Sequence, residues 1–194
     1  MTAVRPQPRL ETFANQKVSV NGQDICFNSN GIAVTSERPS LVLIHGSGGS
    51  KLDWPQSWRS VAAATAPLGL PSSTAVLPGQ GGQSLHSYPV FAIDLPGHGG
   101  SYGQSLSDID SYGSAVFRFI EALGLENVCL VGHSMGAGVV LSAALQSSER
   151  ISSLCLIAGA ARMSVTPDLL EGLKNQTENT VAAIARSGCR TSTR

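Results

Sequence analysis

The first regular pattern along the chain is an alternation. In KVSVNGQDICFN, residues 17 to 28, apolar and polar side chains take turns on either side of Asn21-Gly22. Alternation with a period of two belongs to a strand with one buried face, and Asn-Gly suits the positive φ angles of a tight turn. Residues 17 to 27 therefore predict an antiparallel hairpin. Three later runs, LVLIH at 41 to 45, VFAID at 90 to 94 and NVCLVG at 127 to 132, are continuous and rich in Val, Ile and Leu. Such runs are the signature of strands covered on both faces. ISSLCLIAG at 151 to 159 predicts a fourth. Between strands the period changes: Ile109, Tyr112, Val116, Phe119, Ile120 and Leu123 recur at helical steps, with Ser107 and Asp110 spaced as a capping box and Gly124 as the stop. A further helical pattern, AGVVLSAALQ, follows the third run, and two shorter ones span 167 to 176 and 177 to 188.

Strand, helix, strand repeated in this way predicts the α/β class: a mostly parallel sheet with right-handed crossovers, entered through an antiparallel hairpin. No core-type strand follows residue 159, so the sheet is expected to stop there and leave a hydrophobic edge unpaired. Residues 60 to 87 carry no charge and are heavy in Ser, Gly, Pro and Ala, which reads as an inserted loop, poorly ordered and peripheral to the core. The expected organisation is a core over 1 to 160 containing that loop, then a helical segment and the polar tail CRTSTR over 161 to 194.

Composition narrows the function. Thirteen Lys and Arg balance thirteen Asp and Glu without runs of either sign, so nothing offers a footprint for nucleic acid or anionic membrane, and a small molecule is the expected partner. Cys26, Cys129, Cys155 and Cys189 lack metal-ligand spacing and read as reduced core residues, and no metal or cofactor is expected. The N-terminus lacks the apolar region of a secretory signal and no run reaches about 18 apolar residues, so a cytoplasmic protein is expected.

The strongest chemical signal is Gly132-His133-Ser134-Met135-Gly136, a G-x-S-x-G pentapeptide set directly between a predicted strand and a predicted helix. A strand-to-helix turn that sharp strains the serine backbone, and it needs residues without Cβ two positions away on either side, where Gly132 and Gly136 stand. The helix N-terminus then lies beneath Ser134, and the Met135 N–H points where a tetrahedral intermediate carries its charge. A second oxyanion donor is expected from His45-Gly46-Ser47-Gly48-Gly49 after the strand LVLIH: the Ser47 N–H, or failing that Gly48. GSGGSK is not a phosphate loop. The dinucleotide pattern needs glycine where Lys51 stands, and the P-loop needs Ser or Thr where Leu52 stands. Trp54 and Met135 are candidates to line an apolar pocket, while Trp54 equally suits simple packing behind the loop.

Taken in order, LVLIHGSGG, FAIDLPGHGGS and LVGHSMGAG resemble the α/β-hydrolase superfamily, in particular its bacterial esterase-like members. The resemblance covers roughly residues 17 to 175 outside the 60 to 87 loop. It implies a nucleophilic serine, then a carboxylate, then a histidine in chain order, with His98 and His133 in packing and hydrogen-bonding roles. Here the pattern breaks: His45, His86, His98 and His133 all precede Ser134, so neither acid nor base is identified. Asp168 and Glu171 fall where the resemblance implies the start of a helical cap. Two functions stay open. One is a serine hydrolase acting on an ester or related acyl substrate through Ser134, incomplete and nearly inactive as this chain; the other is a non-catalytic binding protein with a degenerate hydrolase pocket.

Overall fold

The computed structural model describes residues 14–59, 88–146, 149–161 and 166–188. The chain divides into two compact units, Met1–Ala161 and Arg162–Arg194. The first holds a six-stranded sheet: β1 (Gln16–Val20), β2 (Gln23–Ser29), β3 (Ser40–Ile44), β4 (Val90–Ile93), β5 (Val128–His133) and β6 (Ile151–Ile157), in the spatial order β1-β2-β4-β3-β5-β6. Strands β4, β3, β5 and β6 run parallel, whereas β1 and β2 pair antiparallel and β2 joins β4 antiparallel. This is the predicted mostly parallel sheet with an antiparallel start.

Local chemistry places the elements. Asn21 and Gly22 both take positive φ, 51° and 79°, and Val20 pairs with Gln23, so the hairpin turn is the expected two-residue one. Among its described residues the unit also holds a 3-10 turn (Lys51–Asp53) and helices α1 (Gln56–Arg59), α2 (Ile109–Ala122) and α3 (Met135–Gln146). The N-cap of α2 lies one residue later than the Ser107/Asp110 spacing predicts. Asp108 is extended there and accepts from the Ser111 N–H at 2.7 Å, while Ser107 donates its hydroxyl to the same carboxylate. Both residue types suit a cap, and Asp108 holds it because its backbone is the extended one directly before the helix. The other end behaves as expected: Gly124, at φ 63°, closes the helix, with the Leu125 N–H donating to the Ile120 carbonyl.

Alternate residues of the central strands feed two cores. Val42, Ile44, Phe91, Ile93 and Leu130 pack with Val116, Phe119 and Ile120 of α2 and Val139 and Val140 of α3. On the other face Leu41, Leu43, Val90, Ala92 and Val131 meet Trp54 and Tyr88. Strand β6 occupies the sheet edge, as the expected end of the sheet implies, and Leu154 and Leu156 are each 39% exposed, so the run is not covered on both faces as its composition suggested. Cys155 is accordingly only half-buried, whereas Cys26 and Cys129 are buried as expected and all three are free thiols. Cys189, His86, the expected insertion at 60 to 87 and the tail CRTSTR lie outside the described residues.

In the second unit α4 (Pro167–Asn175) and α5 (Thr177–Gly188) follow the predicted spans. Thr166 caps α4 by accepting from the Leu169 N–H, and Pro167 stands at a first-turn position, where it loses no helix hydrogen bond.

Candidate active site

Ser134 sits between the end of β5 and the first residue of α3 with φ at 53°, a conformation non-glycine residues rarely hold. Two hydrogen bonds fix it: its N–H donates to the Ile157 carbonyl at 2.9 Å, and its own carbonyl accepts from the Ala137 N–H at 2.9 Å. The flanking glycines are required by contact. A Cβ at Gly132 would overlap the Gly136 carbonyl, and one at Gly136 would overlap the Ile44 and His45 carbonyls. The elbow is thus clamped between α3 and the C-terminal end of β3.

The loop after β3 lies against it. Gly46 is buried, and a Cβ there would stand 3.2 Å from the Ser134 Cβ and 3.3 Å from His133 Nδ1. The loop turns at once, with Gly48 at φ 69° and the Gly49 N–H donating to the Gly46 carbonyl. Ser47 is exposed at the bend and lines a cavity of about 340 Å³ together with Met135, His98, Leu106 and Tyr112. Both predicted oxyanion residues therefore reach one cavity beside the elbow. Trp54 does not join them; it lines a separate cavity of about 250 Å³ with Trp58, His45 and His133.

Sequence reading missed what holds this loop. Lys51 and Asp94 form a buried ion pair, their side chains 5% and 0% exposed. The Asp94 carboxylate accepts from Lys51 Nζ at 2.5 Å, from the Lys51 backbone N–H at 2.6 Å and from the Gly100 N–H at 2.7 Å. Burial pulls the Lys51 pKa down, but the hydrogen bond and the charge of Asp94 outweigh it and leave the ammonium above its ordinary value. The pair ties the turn after β4 to the chain following the His45–Gly49 loop. Its only trace in sequence is a lysine after HGSGGS and an aspartate closing an apolar strand.

His45 reinforces the tie. Its Nε2 accepts from the Leu95 N–H at 3.0 Å, which leaves Nδ1 as the donor to the Gly46 carbonyl at 2.7 Å. Desolvation, followed by repulsion from His98, outweighs the hydrogen bond and lowers its pKa, so the ring stays neutral. His98 holds Nδ1 3.1 Å from the Pro96 carbonyl, with its ring 5.0 Å from that of His45 and 6.0 Å from that of Tyr112. His133 differs from the expected packing role: it is exposed, because it projects from the last residue of β5. Among the described residues no group of three His, Cys, Asp or Glu could hold a metal ion, and no helix is long and apolar enough to cross a membrane.

Comparison with known proteins gives the same architecture. Residues 41–188 match the model of the alpha/beta hydrolase family. The dihydrolipoyllysine-residue acetyltransferase component of the acetoin cleaving system of Pseudomonas putida is 32% identical over 121 residues, 62% of this chain and 26% of that protein. A pimeloyl-[acyl-carrier protein] methyl ester esterase of Neisseria meningitidis is 36% identical over 87 residues, 45% of this chain and 32% of its own. The chain thus spans about a third or less of these relatives. Among solved structures, a thermophilic esterase superposes with a TM-score of 0.62 at 24% identity, covering 87% of this chain and 53% of its own. A bacterial membrane phospholipase A superposes at 0.58 with 28% identity, covering 82% and 44%. A match that runs from the first parallel strand through α5, on a sheet whose β5 turns into a helix through G-x-S-x-G, makes this chain a member of the alpha/beta hydrolase family.

Proposed function

We propose that this chain carries the nucleophilic half of a serine hydrolase acting on an ester or related acyl substrate, with Ser134 as the nucleophile. The observation that carries the reading is Ser134 at φ 53° on the strand-to-helix turn, clamped by glycines that cannot accept a Cβ. The Ser134 hydroxyl attacks the substrate carbonyl carbon as a base takes its proton. The tetrahedral oxyanion accepts hydrogen bonds from the Met135 and Ser47 N–H groups, and collapse expels the alcohol, which takes up the proton. Water then attacks the acyl-enzyme and releases the acid. Esterase and acetyltransferase relatives support acyl chemistry of this kind.

The base is not assigned to any described histidine. Both nitrogens of His45 are engaged inside the fold, His98 Nδ1 is tied to Pro96, and exposed His133 precedes Ser134, whereas the family order puts the base after the serine. We place acid and base outside these 194 residues, consistent with the share of the relatives that the chain spans. Without a base, a serine hydroxyl is a weak nucleophile, and turnover falls by several orders of magnitude. Intact-protein mass spectrometry after exposure to a fluorophosphonate tests the reading: one slow adduct is expected, absent in Ser134→Ala. Labelling that survives this substitution would overturn the assignment. Ser134-dependent hydrolysis of nitrophenyl acetate at an ordinary enzymatic rate would show that a base lies within the chain.

A further inference from the structure

The direction of one peptide plane decides whether the loop after β3 can serve the nucleophile. Among the described residues no peptide bond is cis, so across Gly46–Ser47 the Gly46 carbonyl and the Ser47 N–H point in opposite directions. Gly46 lacks a Cβ, which leaves this plane free to rotate unless its oxygen is held. Two donors hold it: His45 Nδ1 at 2.7 Å and the Gly49 N–H at 3.1 Å. The first is the shorter, and its ring is fixed, because His45 is 1% exposed and its Nε2 accepts from the Leu95 N–H at 3.0 Å. With the carbonyl drawn onto His45, the Ser47 N–H is turned away from the ring, and among the described residues nothing accepts from it. The plane is also close to the nucleophile. A Cβ on Gly46 would stand 3.2 Å from the Ser134 Cβ, and Ser47 lines the same cavity as Met135.

We infer that His45 is a positioning residue for the oxyanion hole: by holding the Gly46 carbonyl through Nδ1, it aims the Ser47 N–H, and not that of Gly48, at the oxygen bound beside Ser134. This role rests on the serine-hydrolase reading, and it is separate from packing and from the tie to Leu95. The two ring nitrogens can be removed one at a time. In His45→Asn the side-chain amide nitrogen falls near the place of Nδ1, so donation to Gly46 remains while the Leu95 N–H loses its acceptor. In His45→Gln the amide oxygen reaches the place of Nε2, so Leu95 stays paired while the Gly46 carbonyl is released.

The test uses the full 194-residue chain, labelled with nitrogen-15 and carbon-13 so that the Ser47 and Gly48 amides are assigned through the backbone. Exposure to the fluorophosphonate leaves a tetrahedral phosphonyl group on Ser134, whose phosphoryl oxygen stands in for the oxyanion. Adduct formation should move the Ser47 amide proton downfield and leave that of Gly48 in place. The rate of adduct formation, followed by intact mass, should fall roughly a hundredfold in His45→Gln, as for the loss of one oxyanion donor, and recover most of the way in His45→Asn. That order should hold even though His45→Asn has the lower urea midpoint of the two. A purely structural role gives the reverse, with labelling that tracks stability. An unmoved Ser47 amide in the labelled parent, or a shift of Gly48 in its place, would overturn the inference without any variant having to fold. So would His45→Gln labelling as fast as the parent, or two variants slowed alike. Each of these, with Ser134 of the parent still labelled, leaves the hydrolase reading intact, whereas a parent never labelled at Ser134 removes that reading and this role with it.

Discussion

Holding Ser134 at positive φ costs about 1 to 3 kcal/mol, and the neighbours that enforce it are mostly backbone atoms that cannot yield. Gly136→Ala is therefore expected to destabilise the fold by about 3 kcal/mol, at the upper end for overpacking, because its Cβ meets the Ile44 and His45 carbonyls. A lower urea midpoint at unchanged slope is the expected measurement. The Lys51–Asp94 pair is a second point of sensitivity. Lys51→Ala leaves the Asp94 carboxylate buried without a counter-charge, and a loss of about 3 to 5 kcal/mol is expected by the same measurement. The pH dependence has a defined sign. The folded-state pKa of Lys51 is raised, so its contribution is complete below the ordinary lysine value of 10.5 and is lost as pH climbs through the folded value. His45 acts at the acid end. Its folded-state pKa is lowered from 6.5, so stability is full above that value and declines as pH falls toward the folded one. A thermal midpoint that starts to drop below about pH 6.5 in the parent, but not in His45→Gln, is the expected result.

At the scale of elements, the hairpin offers a clean measurement of backbone strain. Gly22 stands at φ 79° with open space where a Cβ would go, so Gly22→Ala tests conformation alone, and a loss of about 1 kcal/mol is expected in denaturant titration. Both the turn and its register were legible in sequence, because Asn-Gly and the flanking alternation are local signals. The α2 N-cap was legible only to within one residue. Ser107 and Asp108 are both good caps, and what decides between them is which backbone turns extended before the helix begins. Strand β6 was legible as a strand, and its unpaired edge followed from the lack of a later core-type run; its composition alone suggested cover on both faces, since a run such as SLCLIAG looks the same at a sheet centre and at its edge.

For the whole molecule, the exposed edge has a consequence for solution behaviour. Strand β6 bears no charged residue, and it presents Leu154 and Leu156 beside a sheet edge that, among the described residues, pairs only with β5. Edges of this kind template further pairing when no charge or proline blocks them. Concentration-dependent light scattering is expected from the purified chain, and Leu154→Lys should reduce it without lowering the urea midpoint. An unchanged scattering profile would mean that the edge is not the sticky surface.

What the sequence determined by itself is whatever rests on short-range chemistry. The period of each run, Asn-Gly at the hairpin and glycines around Ser134 are all dictated within a few residues, which is why strand order along the chain, the α/β class and the elbow could be read directly. Tertiary structure decided everything that depends on partners distant in the chain. Lys51 meets Asp94 only because β3 and β4 are neighbours in the sheet, and that adjacency buries both charges. Ser47 and Met135 share one cavity while Trp54 lines another, although Ser47 and Trp54 are only a short loop apart in the chain. No local pattern encodes such meetings, since contact across the sheet is set by topology and not by spacing.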